Sequence, residues 1–197
     1  MCKFSSDTKA RLGNAVTYIA SHVSSPSKTK ILKLLYIMEE TMVSKYGIPF
    51  LGLPYEVWEL GPVQKDVFVA ISNGGGLLGE YVNVVSDADN NSIISVKKSF
   101  DEDEFSQVEL DMMNSVLKNF GNKTANQLIN YLHRKESLWY KLAVSKGLLK
   151  AFKDGLCNCS EVRIDLGDLL PEDKKEAYEE SLLIHSTANE MKAFANV

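Results

Sequence analysis

Apolar residues recur at helical spacing from the start of the chain: Leu12, Val16, Ile19 and Val23. This predicts a helix from Thr8 to about Ser21. The Ser24-Ser25-Pro26-Ser27 cluster breaks it. A second, longer helix is predicted from Lys28 to Tyr46, with Gly47 placed to end it. Ile31, Leu34, Leu35, Met38 and Met42 form one stripe on it, and Leu32, Tyr36 and Val43 form another. A helix apolar on two faces belongs at the centre of a core.

The pattern then changes period. Ile48 to Pro54 reads as an extended connection, and Tyr55 to Leu60 as a strand with alternating faces. Gly61 precedes a proline and is steered away from helical geometry. Pro62 suits the first position of a helix, so a helix carrying Val63, Val67, Ala70 and Ile71 is expected at once, stopped by Asn73 to Gly76. Tyr81 to Val85 and Ile93 to Lys97 read as a hairpin around Asp87-Ala88-Asp89-Asn90-Asn91. Ser106 and Glu109 match a capping box before a helix with Leu110, Met113, Leu117 and Phe120, ending at Gly121. Two shorter helices follow, one with Ala125, Leu128, Ile129 and Leu132, the next capped by Ser137 and carrying Trp139, Leu142 and Ala143.

The pattern loosens after Gly147. Glu161 to Leu166 alternates as a third strand would, and Pro171 opens a last helix with Ala177, Ile184, Ala188, Met191 and Ala195 on one side. The fold class read from this order is mainly α (α+β): a helical domain, residues 5–149, around a central buried helix, with a small antiparallel hairpin or sheet. Residues 150–197 form a C-terminal extension. Its helix has three readings: packing on its own domain, pairing with a second copy as a homodimer, or lying in a partner's groove.

Charge narrows the function. The balance of 22 basic and 26 acidic residues, net −4, weighs against a nucleic-acid surface, which needs clustered positive charge. Residues 134–153 hold six basic residues and one acid, and residues 101–111 hold six acids and no base. Such runs are ordinarily solvated faces, although the basic one could dock an acidic partner. No apolar run approaches the roughly 20 residues of a membrane helix, and no signal peptide is read at the N-terminus. Cys2, Cys157 and Cys159, an odd set, point to reduced thiols in a cytoplasm.

Candidate chemistry is sparse. A lone Cys157-x-Cys159 lacks the second pair that zinc knuckles require, so no metal is expected there. His133 has only Glu136 near it at helical spacing, and it reads as a structural histidine bonded to backbone near Trp139 rather than a base or ligand. His22 and His185 are isolated. Gly74-Gly75-Gly76 lacks the lysine and hydroxyl of a phosphate loop. No catalytic residue, cofactor or metal site is expected, and the chain reads as a non-enzyme.

The order of motifs carries more. Lys33-Leu34-Leu35-Tyr36, then Trp58 with Gly61-Pro62-Val63, then Phe120-Gly121, then His133 followed by Trp139, resembles the Panacea domain, the SocA-like antitoxin family of phage-associated proteins. The resemblance covers about Ala10 to Leu142. It departs near His133, where the family has acids and a Gly-Pro and this chain has Arg134-Lys135-Glu136-Ser137-Leu138. The resemblance implies an α-rich domain with a small sheet. It implies binding and suppression of a cognate protein toxin, and for some members delivery of that toxin to an ATP-dependent protease. Trp58, Gly61, Pro62, Val63, His133 and Trp139 are the candidate partner-contact residues. The competing reading is structural: Trp58 anchors a strand in the core and Gly61-Pro62 makes a sharp turn. A rival function is a DNA-binding regulator whose hairpin acts as a wing.

Overall fold

The computed structural model describes the backbone of residues 4–86 and 92–195, and their side chains through Ile184. Cys2, the loop Asp87 to Asn91, and the side chains of His185, Ala188, Met191 and Ala195 lie outside the described residues. The described residues form eight α-helices and five short strands, so the fold is mainly α with a small antiparallel β component.

Helix α1 (Ser6–His22) is capped by Ser5, whose hydroxyl accepts from the Thr8 N–H. Helix α2 (Lys28–Tyr46) is capped by Ser27 and closes on Gly47, which takes φ +70°. That left-handed ending suits glycine, which has no Cβ to clash. Both apolar stripes of α2 are buried: Leu34, Leu35 and Met38 on one side, Leu32, Tyr36 and Val43 on the other. It is the central pillar, in contact with α1, α4 (Gln107–Phe120) and α5 (Ala125–Leu132).

Strand β1 (Tyr55–Trp58) lies in the middle of a three-stranded antiparallel sheet, between β2 (Gly61–Val63) and β5 (Arg163–Ile164). Two expectations are corrected here. Pro62 is a strand residue and does not open a helix: Val57 faces Pro62 and Trp58 faces Gly61. Helix α3 (Lys65–Ser72) follows and is capped by Gln64, whose side chain accepts from the Val67 N–H at 2.7 Å. Fixed φ suits an extended chain as well as a first helical turn, and the N–H that proline lacks is dispensable at the outer edge of a sheet. The second correction is Trp58. The buried face of β1 is Tyr55 and Val57, which leaves Trp58 half-buried on the other face. The tryptophan inside the core is Trp139.

Strands β3 (Val82–Ser86) and β4 (Ser92–Val96) form the separate hairpin. It is docked on the α1–α2 corner, where the Ile94 N–H donates to the Pro26 carbonyl at 3.0 Å. The capping box at Ser106 and Glu109 forms as expected. Helix α6 (Leu138–Ser145) is capped by Ser137. It leads into a short α7 (Leu148–Lys153) that periodicity does not signal.

The extension contributes to the same core. Ile164, Leu166, Leu170 and Tyr178 are buried in it. The last helix, α8 (Glu172–Ala195), turns a different face inward from the one expected: Tyr178 is buried, whereas Ala177 and Ile184 are exposed. Alanine offers too little apolar area to decide a helix's orientation against a tyrosine.

Glu39 ties this framework together. Its buried carboxylate accepts backbone N–H bonds from Phe50, Leu51 and Gly52 at 2.9, 3.0 and 3.1 Å. The connection after α2 is thereby fixed without being helix or strand. Burial raises the carboxyl to about pKa 7, against the pull of those three donors. Glu39→Gln leaves at least one buried N–H without an acceptor. It should lower unfolding free energy by about 1–3 kcal/mol in urea titrations at neutral pH.

Candidate partner-contact site

The hairpin β1–β2 turns through Glu59 and Leu60, and the positive φ falls on Gly61 (+99°). A side chain there would be strained by the backbone alone. It would also be crowded, since a Cβ would sit 3.3 Å from Lys33 Nζ and 3.6 Å from His133 Nε2. Gly61 is thus the residue across which a helix α2 side chain and the end of α5 approach the hairpin.

Four polar contacts clamp the strand ends. Lys33 Nζ donates to the Pro62 carbonyl at 2.9 Å. Trp139 Nε1 donates to the Trp58 carbonyl at 2.9 Å. On the outer edge, the Glu59 N–H donates to the Asn158 carbonyl at 3.0 Å, and Ser160 Oγ donates to the Val57 carbonyl at 2.6 Å. The extension therefore borders the hairpin as a further edge.

The six candidate residues gather here. Trp58, Gly61, Pro62 and Val63 are the hairpin itself. Trp139 braces it, and His133 stacks flat on the Trp139 ring, with centroids 3.7 Å apart and planes 1° from parallel. The backbone bond of His133 is to Ile129, while its buried Nε2 has no partner among the described residues. The expected role of His133, bonding backbone near Trp139, is replaced by stacking. Gly61, Pro62, Val63 and Trp139 are buried, so what they hold in place is the tip.

Electrostatics at this clamp are unusual. Lys33 is 1% exposed, and burial pulls its ammonium down to about pKa 7. Burial, helped by the Lys33 charge, holds the His133 imidazole down to about pKa 4. Two residues further along the chain from Trp139's partner strand, Leu60 stands at the tip, 54% exposed. Beside it opens an apolar cleft of about 430 Å³, with Trp58, Phe68, Leu32 and Val63 among its walls. Trp58 packs edge-on to Phe68 at 5.0 Å, and its indole N–H is taken by Glu56 at 2.9 Å. Lys28 lies 4.4 Å above the Phe68 ring. A larger polar cleft of about 740 Å³ lies on the other side of Leu60, between the starts of α2 and α5.

Sequence reasoning missed Leu60 and Phe68 as surface features and Lys33 as the hairpin's clamp. Leu60 carried one readable signal: a large apolar residue directly before a Gly-Pro break is unusual at a turn, where polar residues are the rule. Among the described residues, no group of three or more His, Cys, Asp or Glu could hold a metal ion. Cys157 is half-buried and Cys159 exposed.

Two outcomes are expected. Gly61→Ala should cost about 1–3 kcal/mol of unfolding free energy, from positive-φ strain and the contact with Lys33. The His133 ring should remain neutral in the folded protein until the pH approaches about 4, as followed by its NMR signals. Because the unfolded ring takes up its proton near the ordinary value, the His133 contribution to stability is lost as pH falls from about 6.5 to about 4.

The comparison with known families agrees with this geometry. Residues 31–140 match the family described as Antitoxin SocA-like, Panacea domain. The match runs from α2, through the clamped hairpin, to α6, and includes Lys33, Trp58, Gly61, Pro62, Val63, His133 and Trp139. The chain matches no curated protein and no solved structure. With more than half of its 197 residues matched, the chain belongs to the SocA-like Panacea antitoxin family.

Proposed function

We propose that this protein is an antitoxin that neutralises a cognate protein toxin by direct contact, acting in the cytoplasm as a binding protein and not as an enzyme. Family membership supports the antitoxin role. The observation that carries direct contact at this face is Leu60: an exposed leucine held at the tip of a hairpin clamped from three sides, beside an apolar cleft. An apolar side chain on a preorganised turn binds without a large ordering cost. Aromatic walls such as Trp58 and Phe68 are what protein interfaces use as anchors. The six motif residues serve this face chiefly by holding it. Delivery of the bound toxin to an ATP-dependent protease is the second step that the resemblance attaches to this reading.

The rival reading, duplex binding through a β3–β4 wing, has less support. The net charge is −4, and the middle of strand β4 in that hairpin is bonded to the α1–α2 corner. Among the described residues, no helix is long and apolar enough to cross a membrane.

The test is co-expression with a small growth-arresting protein encoded beside this gene. Wild-type chain should rescue growth and co-purify with it. Leu60→Glu should keep its thermal stability, since exposed positions away from special geometry change it by about 0.5 kcal/mol or less. It should weaken toxin binding by about tenfold or more, roughly 1.4 kcal/mol. Rescue by Leu60→Glu at wild-type affinity would move the contact elsewhere on the molecule.

A further inference from the structure

Lys33 is a buried lysine with no carboxylate partner among the described residues. Among the described residues its one acceptor is the Pro62 carbonyl, and the ion pairs present involve other residues. The contrast along the same helix is clear: buried Glu39 is satisfied by three N–H groups and buried Glu40 by Arg134. An ammonium has three donors. A buried charge ordinarily has a charged partner. Next to it, the buried His133 Nε2 has no partner among the described residues.

Lys33 lines the apolar cleft beside Leu60. That cleft, about 430 Å³, falls within the range of small-ligand pockets, roughly 300–1,000 Å³. Its walls supply apolar contact, and its rim supplies a second cation, Lys28. The larger polar cleft also has a buried lysine, Lys30, which donates to the Ser24 carbonyl at 3.1 Å, but among the described residues its lining holds no aromatic side chain.

We propose that this cleft is a carboxylate-anchored docking site, in which an Asp or Glu of a partner protein segment pairs with Lys33 while a neighbouring aromatic or aliphatic side chain packs against Trp58 and Phe68. The proposal rests on the reading of this face as the toxin contact, and it names the chemistry of the toxin segment: acidic, with an adjoining apolar residue. Charge complementarity selects it over an apolar or basic segment. A carboxylate completes the coordination of an ammonium already positioned by Pro62, and charge-assisted bonds in a dry site are stronger than neutral ones. Lys33 would release its ligand as it loses its proton. The titratable groups around it are His133 from the end of α5, Glu59 from the hairpin tip, Cys159 from the extension and Lys28 from its own helix.

The test needs no toxin, so its failure is distinct from failure of the antitoxin reading. Isotope-labelled full chain is titrated with phenylpropionate, and with phenylpropanamide as the neutral isostere, while backbone and indole N–H signals are followed. Phenylpropionate should shift Leu60, Gly61 and the Trp58 indole. At pH about 6 it should bind about tenfold or more tightly than the amide. That preference should fade as pH rises to about 9, because the Lys33 proton is lost in this range. In Lys33→Met the preference should be absent. This variant should fold, since an apolar side chain of similar length relieves an unpaired buried charge. Equal binding of the two compounds would overturn the proposal, as would a carboxylate preference unchanged at high pH or in Lys33→Met. Shifts confined to another surface, or none at millimolar ligand, would overturn it too. The wild-type pH series decides the matter by itself if Lys33→Met does not fold.

Discussion

A charged side chain withdrawn from water must be answered where it lies, and α2 withdraws four. Lys30, Lys33, Glu39 and Glu40 are all buried on this one helix. Each reaches a different part of the chain. Lys30 holds the turn before the helix through the Ser24 carbonyl. Lys33 holds the β1–β2 hairpin through the Pro62 carbonyl. Glu39 holds the connection at residues 50–52 through three N–H groups. Glu40 holds the end of α5 through Arg134, supported by the Tyr36 hydroxyl. The apolar stripes of α2 make it central, and the four buried polar ends tie it to what is arranged around it. Apolar packing is non-directional; a hydrogen-bonded charge is not.

The consequence for function is preorganisation. The hairpin is only a few residues long, and a two-stranded hairpin of that size is marginal in water. Here it is held by Lys33 on one side, by Trp139 from α6, and by the Asn158 carbonyl and the Ser160 hydroxyl on its outer edge. Leu60 can therefore stand exposed without a floppy turn beneath it. The six candidate residues all lie within the family match and are mostly inside this clamp. They form the frame beneath the exposed tip and cleft.

Much of the fold is legible in local pattern. Two-sided apolar periodicity places α2 at the centre, the Ser-to-Glu capping box starts α4, and Gly47 ends α2 where a residue with φ +70° is needed. The hairpin at Gly61-Pro62 is less legible. Proline's fixed φ serves the first turn of a helix and an edge strand equally, and only pairing across Val57 distinguishes them. The site was half legible: its motif residues stood out in order, but their roles did not. Trp58 and Trp139 look alike as large aromatics, yet one lines a surface cleft and the other carries the buried indole N–H bond.

Periodicity, caps and breakers act over a few residues, so the chain's own order settles where helices begin and end and which helix is most apolar. The same reasoning cannot place Lys33, Glu39 and Glu40. A charge inside an apolar stripe reads locally as a solvent-facing interruption, and its partner lies 11 to 94 residues away in the chain. Nor can it orient α8, whose alanine-rich side looks apolar while Tyr178 takes the core. Burial is decided by competition among all apolar surface at once, and the partner of a buried charge is whatever the folded chain brings within hydrogen-bond reach. Both are properties of the tertiary structure alone.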